Sequence, residues 1–274
     1  DLSLPGTRNN YDRLVGGAEL AFQLYDGLTF RSSVNVDFSV GGSDGWTPNY
    51  YLSSTRHQGY SSVWGSMNRG LIWQVENTLT YTKTFADKHN LTVMAGQSAS
   101  AEQGRNINAS RMYLTEEDPS KANMGFATSQ REDNDGGGSL YADYRLSSLF
   151  ARASYDYDNR YMITATIRRD GTSRFSNNKW GLFPSVALGW NIGNEGFLKD
   201  NDVLTTLKLR ASWGQTGQQG VGGYYDTQAT YYTNLLGSYY YFGDKLINPV
   251  TALGYNADLK WETTTTWNVG FDFG

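Results

Sequence analysis

Few of the residues in this 274-residue chain that could do chemistry stand at a spacing any reaction requires. His57 and His89 lie far apart, and neither has a partner in H-x-x-x-H spacing. No G-x-S-x-G elbow, phosphate-binding loop or dinucleotide fingerprint occurs. The absence of cysteine removes thiolate chemistry and a disulfide framework together. Asp133-Asn134-Asp135-Gly136 offers calcium-type oxygens but lacks the EF-hand spacing and its distal bidentate glutamate. Glu116 and Glu117 belong to a solvated charge run, whereas a glycosidase needs two carboxylates facing each other across a cleft. The expectation is therefore a protein that is not an enzyme and has no metal and no cofactor. A formal net charge of −4 supplies no basic footprint for nucleic acid.

Charged residues and aromatics remain, and their spacing is informative. Glu19, Arg31, Asp37, Glu76, Arg152, Asp156, Arg168, Lys208, Arg210 and Asp272 each stand in a stretch that alternates polar with apolar residues. Alternation places them on one face of a pleated strand and the apolar residues on the other. Arg168, Asp170 and Arg174 gather at one end of such a stretch. They suit either a polar substrate contact or an Arg–Asp pair inside a turn made by Asp170-Gly171, and the pair is the simpler reading. Tyr239, Tyr240, Tyr241 and Phe242 crowd one outer loop, and Trp46, Tyr50, Tyr51, Tyr60 and Trp64 another. Aromatic faces there would stack on sugar rings or, equally, anchor a membrane interface.

The elements that must carry these residues are strands. Tyr161, Ile163, Ala165 and Ile167 alternate with Met162, Thr164, Thr166 and Arg168. Further on, Val186, Leu188, Trp190 and Ile192 alternate with Ser185, Ala187, Gly189 and Asn191. The same pattern predicts about nine strands, near 12–24, 28–41, 71–84, 91–100, 149–157, 161–169, 183–192, 204–215 and 264–273. Tyr25-Asp26-Gly27, Ala86-Asp87-Lys88 and Asp158-Asn159 make tight links. The stretches 42–69, 101–145 (with a Gly136-Gly137-Gly138 hinge) and 216–260 read as long irregular loops. A mean hydropathy of −0.55 and short apolar runs provide neither a membrane-spanning helix nor a signal peptide. Short links that alternate with long ones, and strands apolar on one face and polar on the other, fit an antiparallel transmembrane β-barrel with long extracellular loops. On that reading the ten charged residues line the lumen.

Three motifs add a resemblance. Arg168-Arg169-Asp170-Gly171-Thr172-Ser173-Arg174-Phe175 is followed by Trp180-Gly181-Leu182-Phe183-Pro184-Ser185. Leu207-Lys208-Leu209-Arg210-Ala211-Ser212-Trp213-Gly214-Gln215-Thr216-Gly217 is the second. Leu259-Lys260-Trp261-Glu262-Thr263, with Asn268-Val269-Gly270-Phe271-Asp272, is the third. Together they resemble the SusC/RagA family of TonB-dependent outer-membrane transporters of Bacteroidetes. The resemblance implies an all-β segment of about nine strands from a roughly 22-stranded barrel with a plugged lumen. Residues 1–274 would be part of its wall, with the plug, signal peptide and TonB-contact segment outside the chain. It further implies nutrient import of oligosaccharide or peptide across the outer membrane, a SusD-like surface lipoprotein over the mouth, and TonB acting through the missing N-terminal region. Tyr239, Tyr240, Tyr241, Phe242, Trp46 and Arg174 are the candidate substrate contacts. The alternative is a non-transporting surface β-protein that binds glycans through its aromatic loops.

Overall fold

The computed structural model describes residues 6–115, 118, 122–129, 135–198, 206–220, 222–232, 240–247 and 251–274. Nine long strands dominate it: β1 Gly6–Tyr25, β2 Leu28–Thr47, β3 Ser62–Phe85, β4 His89–Met112, β5 Asp135–Tyr157, β6 Tyr161–Thr172, β7 Trp180–Asn191, β8 Leu207–Gln218 and β9 Glu262–Phe273. They form one sheet in strict chain order, each strand beside the next, with β1 and β9 at the two edges. No helix among the described residues is long and apolar enough to cross a membrane, a statement that leaves β-barrels untouched.

Local chemistry explains the tight links. In the three-residue link between Tyr157 and Tyr161, Asp158 and Asn159 both adopt left-handed backbone, at φ 55° and 53°, as the two central residues of a type I′ turn do, and the Arg160 amide donates to the Tyr157 carbonyl at 2.9 Å. Gly27 turns the β1–β2 link at φ 75°, where a side chain would be strained.

Register then sorts the side chains. From β5 to β9 the strands pair antiparallel, with Ala153 opposite Ala165, Ala165 opposite Val186, Leu188 opposite Ala211 and Ala211 opposite Val269. Directly opposed residues share a face. One face of these five strands therefore carries Tyr155, Ile163, Ile167, Leu182, Leu188, Trp190, Leu209, Trp213, Trp267 and Phe271, and the other carries Arg152, Thr164, Thr166, Ser185, Ser212 and Asn268. Burial follows the same pattern: β6 alternates exposed and half-buried along most of its length, whereas all of β1, and β9 apart from Gly270, is exposed.

The chain divides into two compact units. The first comprises Asp1–Gly17, Asn35–Trp73 and Ala101–Asp143; the second comprises Ala18–Val34, Gln74–Ser100 and Tyr144–Gly274. The first unit has a small core of Trp46, Val63 and Ala127, packed against Leu114, Ala122 and Met124. Its residues 113–115 and 122–129 are tied down by Arg111, which donates to the Met124 carbonyl at 2.9 Å, and by the Leu114 amide, which donates to Ser61 Oγ at 2.9 Å.

Several strands run well past the boundaries that alternation predicts. β2 continues to Thr47, β3 begins at Ser62, β4 reaches Met112 and β5 starts at Asp135, so parts of 42–69 and 101–145 are strand, and Gly136-Gly137-Gly138 lies within β5 rather than forming a hinge. Ladder hydrogen bonds need no apolar side chains. Where the strands become polar on both faces the hydrophobic period vanishes while pairing continues, as in the Ser43–Asn9 and Asn106–Asn68 side-chain bonds of the first unit. At the other limits, Ile192 opens a short 3-10 turn instead of ending β7, and β8 is described from Leu207.

Candidate functional site

Two groups of predicted residues meet different fates, beginning with the charged set. In the second unit Arg31 pairs with Glu19 at 3.4 Å and Arg210 with Asp272 at 2.8 Å, and Asp156 accepts from Asn90 at 3.2 Å. In the first, Asp37 holds Arg13 through two hydrogen bonds. Register places Arg152, Asp156, Arg168, Lys208, Arg210 and Asp272 on the polar face together. The bonds from Thr84 to Asn90 and from Asn90 to Asp156, with strand alternation, put Glu76 on the same face. Five of the ten charges are thus paired across neighbouring strands, the sheet counterpart of helix ion pairs. Glu76, Arg152 and Lys208 make no ion pair among the described residues.

At the long-loop end the R-x-D-G-T-S-R-F motif builds a clasp. Asp170-Gly171 does not form a turn: both lie inside β6, and Asp170 is buried. Arg168 Nε donates to both Asp170 oxygens, at 2.7 and 2.9 Å, and its Nη2 reaches Ser148 Oγ at 2.9 Å. Arg174 is occupied by protein as well. Its guanidinium lies 4.9 Å from the Tyr144 ring centre and 4.2 Å from that of Tyr224, between two rings themselves stacked at 5.6 Å. This sandwich makes Arg174 a brace between segments, in place of the free substrate contact expected of it.

Around that brace the loop after β6 is stitched to two distant segments. Ser176 Oγ donates to the Thr227 carbonyl at 2.9 Å, and Thr227 Oγ1 donates to the Arg174 carbonyl at 2.7 Å. Asn177 donates to Asp258 at 2.9 Å, and Trp261 Nε1 donates to the Lys179 carbonyl at 3.0 Å. Phe175, only 2% exposed, meets Trp261 edge-on at 5.9 Å, and Phe183 meets the same indole at 5.3 Å.

The aromatic candidates also divide. Trp46 lies in β2 and is 4% exposed within the first unit's core, so its faces contact Val63 and its neighbours and no ligand can stack on them. The expectation for Trp46 is corrected by burial. Tyr240–Phe242 pairs with Lys245–Ile247 in a short hairpin turned by Gly243 at φ 62°. Tyr241 and Phe242 are each 74% exposed at its tip. Tyr239 lies outside the described residues. No group of three or more metal-binding side chains occurs among the described residues.

One cluster escaped the sequence reading. At the short-turn end, Glu195 follows the turn Ile192–Asn194 and accepts from Tyr161 Oη at 2.6 Å, Trp190 Nε1 at 3.0 Å and Arg160 Nη1 at 3.3 Å. Arg160 also donates to Asp158 at 2.7 Å, with Lys88 Nζ 3.7 Å from the same carboxylate. Hydrogen bonds from Tyr161, then Trp190, hold the Glu195 carboxyl below its ordinary range, and Arg160 does the same for Asp158. The available signal was an acid in a short link between strands whose adjoining ends carry Tyr161 and Trp190.

Comparison with known proteins gives one answer along the whole chain. Residues 1–274 match the family model described as TonB dependent receptor-like, beta-barrel. The chain is 51% identical over 130 residues to the TonB-dependent receptor SusC of Bacteroides thetaiotaomicron, covering 47% of this chain and 13% of that protein. It is 33% identical over 261 residues to the TonB-dependent receptor P39 of Formosa agariphila, covering 92% of this chain and 23% of that one. In three dimensions it superposes on a chain of the RagAB peptide transporter with a TM-score of 0.86 at 24% identity, over 98% of this chain and 29% of that one. The chain therefore spans less than a third of the length of these relatives.

Proposed function

From the premise that this chain belongs to the TonB-dependent receptor-like β-barrel family, we propose that it is a section of the wall of an outer-membrane nutrient transporter, bound to lipid on one side and facing the import path on the other. The observation that carries this reading is the sorting of side chains from β5 to β9, with large apolar groups on one face and charged or small ones on the opposite face. The dimensions support it. From Trp190 to Trp180 the strand advances about 34 Å at about 3.4 Å per residue, or about 26 Å along the membrane normal at a tilt of about 40°. An outer-membrane barrel has an apolar band about 25 Å tall, bounded by aromatic girdles.

In the assembled protein the paired charges Glu19–Arg31 and Arg210–Asp272, with Asp37, Glu76, Arg152, Asp156, Arg168 and Lys208, line the lumen. They hold a plug more than they hold cargo, since most already have partners. The loop aromatics Tyr241 and Phe242 contact the nutrient at the outer mouth, where exposed rings give rigid contact area. A SusD-like lipoprotein caps that mouth, and TonB acts through a part of the protein outside this chain. The cargo is an oligosaccharide or a peptide; the fold match to a peptide transporter makes peptides the second reading beside glycans. A glycan-binding surface protein in water would leave the apolar face of β5–β9 exposed to solvent, and apolar patches beyond a few hundred Å² are rare on soluble monomers.

The test is uptake by cells expressing the full-length protein, compared with a form lacking 240–247. Loss of uptake with normal outer-membrane insertion is the expected result. Unchanged uptake of every oligosaccharide and peptide that supports growth removes the hairpin from the cargo path.

A further inference from the structure

We propose that a hollow on the apolar face, at the short-turn end of β6–β8, is a preformed site for one acyl chain of a membrane phospholipid. The proposal rests on the reading above, in which this face meets lipid, and adds that the contact here is specific. The hollow is an open depression of about 610 Å³ bounded by Tyr161, Ile163, Leu188, Trp190, Leu209 and Ala211. Its floor is an effect of size: Ala211 stands directly between Leu188 and Val269 across the strands, with Leu209 and Trp213 on either side of it along β8. A methyl group set among long side chains leaves a trough.

The rim is rigid before any lipid arrives. Tyr157, Tyr161 and Trp190 sit opposite one another across β5, β6 and β7, their rings nearly parallel at centre distances of 6.3 Å. Glu195 takes both the Tyr161 hydroxyl and the Trp190 indole N–H. The polar edges of these two rings are thereby fixed, and the rest of each ring is left to wall the trough. A fixed apolar wall gains dispersion contact from a chain without first having to order itself.

Headgroup charge has little to add. Beyond the rim Arg160 is bound to Glu195 and Asp158, and Lys88 lies beside Asp158, so two cations and two carboxylates balance. Recognition is therefore by chain, and zwitterionic and anionic phospholipids are retained alike.

The test is native mass spectrometry of the full-length protein, extracted in mild detergent and reloaded with phosphatidylethanolamine or phosphatidylglycerol. Ala211→Trp fills the trough. Ala153→Trp adds the same bulk to the apolar face outside it. Wild type and Ala153→Trp are expected to retain one phospholipid more than Ala211→Trp, with either headgroup. Equal retention by wild type and Ala211→Trp, or equal loss in both variants, overturns the proposal. If instead the protein is monodisperse in buffer without detergent, the membrane reading itself fails, and the two failures are told apart.

Discussion

The two ends of the β6–β7 hairpin are held by different chemistry. At the short-turn end a single carboxylate, Glu195, gathers Arg160, Tyr161 and Trp190 within a stretch of 36 residues. At the long-loop end the closure is aromatic and long-range: Arg174 lies between Tyr144 and Tyr224, and Phe175 and Phe183 share Trp261. One end is charged and assembled from neighbours. The other is mostly apolar or amide-bonded and assembled from segments far apart in the chain. A barrel that must hold a fixed base and support long loops needs both, and the family motif after β6 serves the second.

Breaking the apolar clasp should have the largest effect. Phe175→Ala empties a site that is 2% exposed, and buried Phe→Ala changes cost about 3–5 kcal/mol. Limited proteolysis should then cut within 222–260 while the short-turn end stays intact. A contrast between the two faces of β6 comes next. Ile167→Lys puts a cation against lipid, at a cost of about 2 kcal/mol, and should lower the yield of inserted protein, whereas Thr166→Lys on the polar face should be tolerated. Arg174→Lys keeps the charge but loses the planar group between the tyrosines. A loss of about 1 kcal/mol is expected, read as a lower unfolding midpoint that Arg174→Ala lowers further.

Acid gives the smallest and most selective effect. Glu195 and Asp158 have folded pKa values below their ordinary ones, so their contribution is complete above the ordinary carboxylate range and fades as pH falls through the lower folded values. Backbone protection at 158–161 and 192–198 should therefore drop once the pH falls below the ordinary carboxylate range, while that at 172–180, braced by the aromatic clasp, holds. Glu195→Gln should remove most of this pH response.

What the residues revealed in advance follows the same divide. Strand order, tight turns and the two faces were legible because alternation and left-handed turn residues are local signals, as at Ile163 against Thr164 or at Asp158-Asn159. The strand extensions beyond Gly41 and Ser100 were not, because hydrogen-bonded ladders persist where side chains are polar on both faces. Trp46 looked like a loop aromatic and is core, since the segment that buries it, around Ala122–Ala127, comes from far along the chain. Arg168, Asp170 and Arg174 were read together, as a substrate contact or as an Arg–Asp pair within a turn at Asp170-Gly171. The partner of Asp170 is Arg168, and those of Arg174 are tyrosines 30 and 50 residues away, which no spacing rule announces.

The central claim is that one face of β5–β9 meets lipid. It is tested most directly with single cysteines at Ile163, Ala165 and Val186 and at Thr164, Thr166 and Ser185 in the full-length protein, each carrying a fluorophore in bilayers that contain a quencher on the acyl chain. The account predicts strong quenching at the first three positions and little at the second three, alternating residue by residue along β6. Equal quenching on both faces would contradict it.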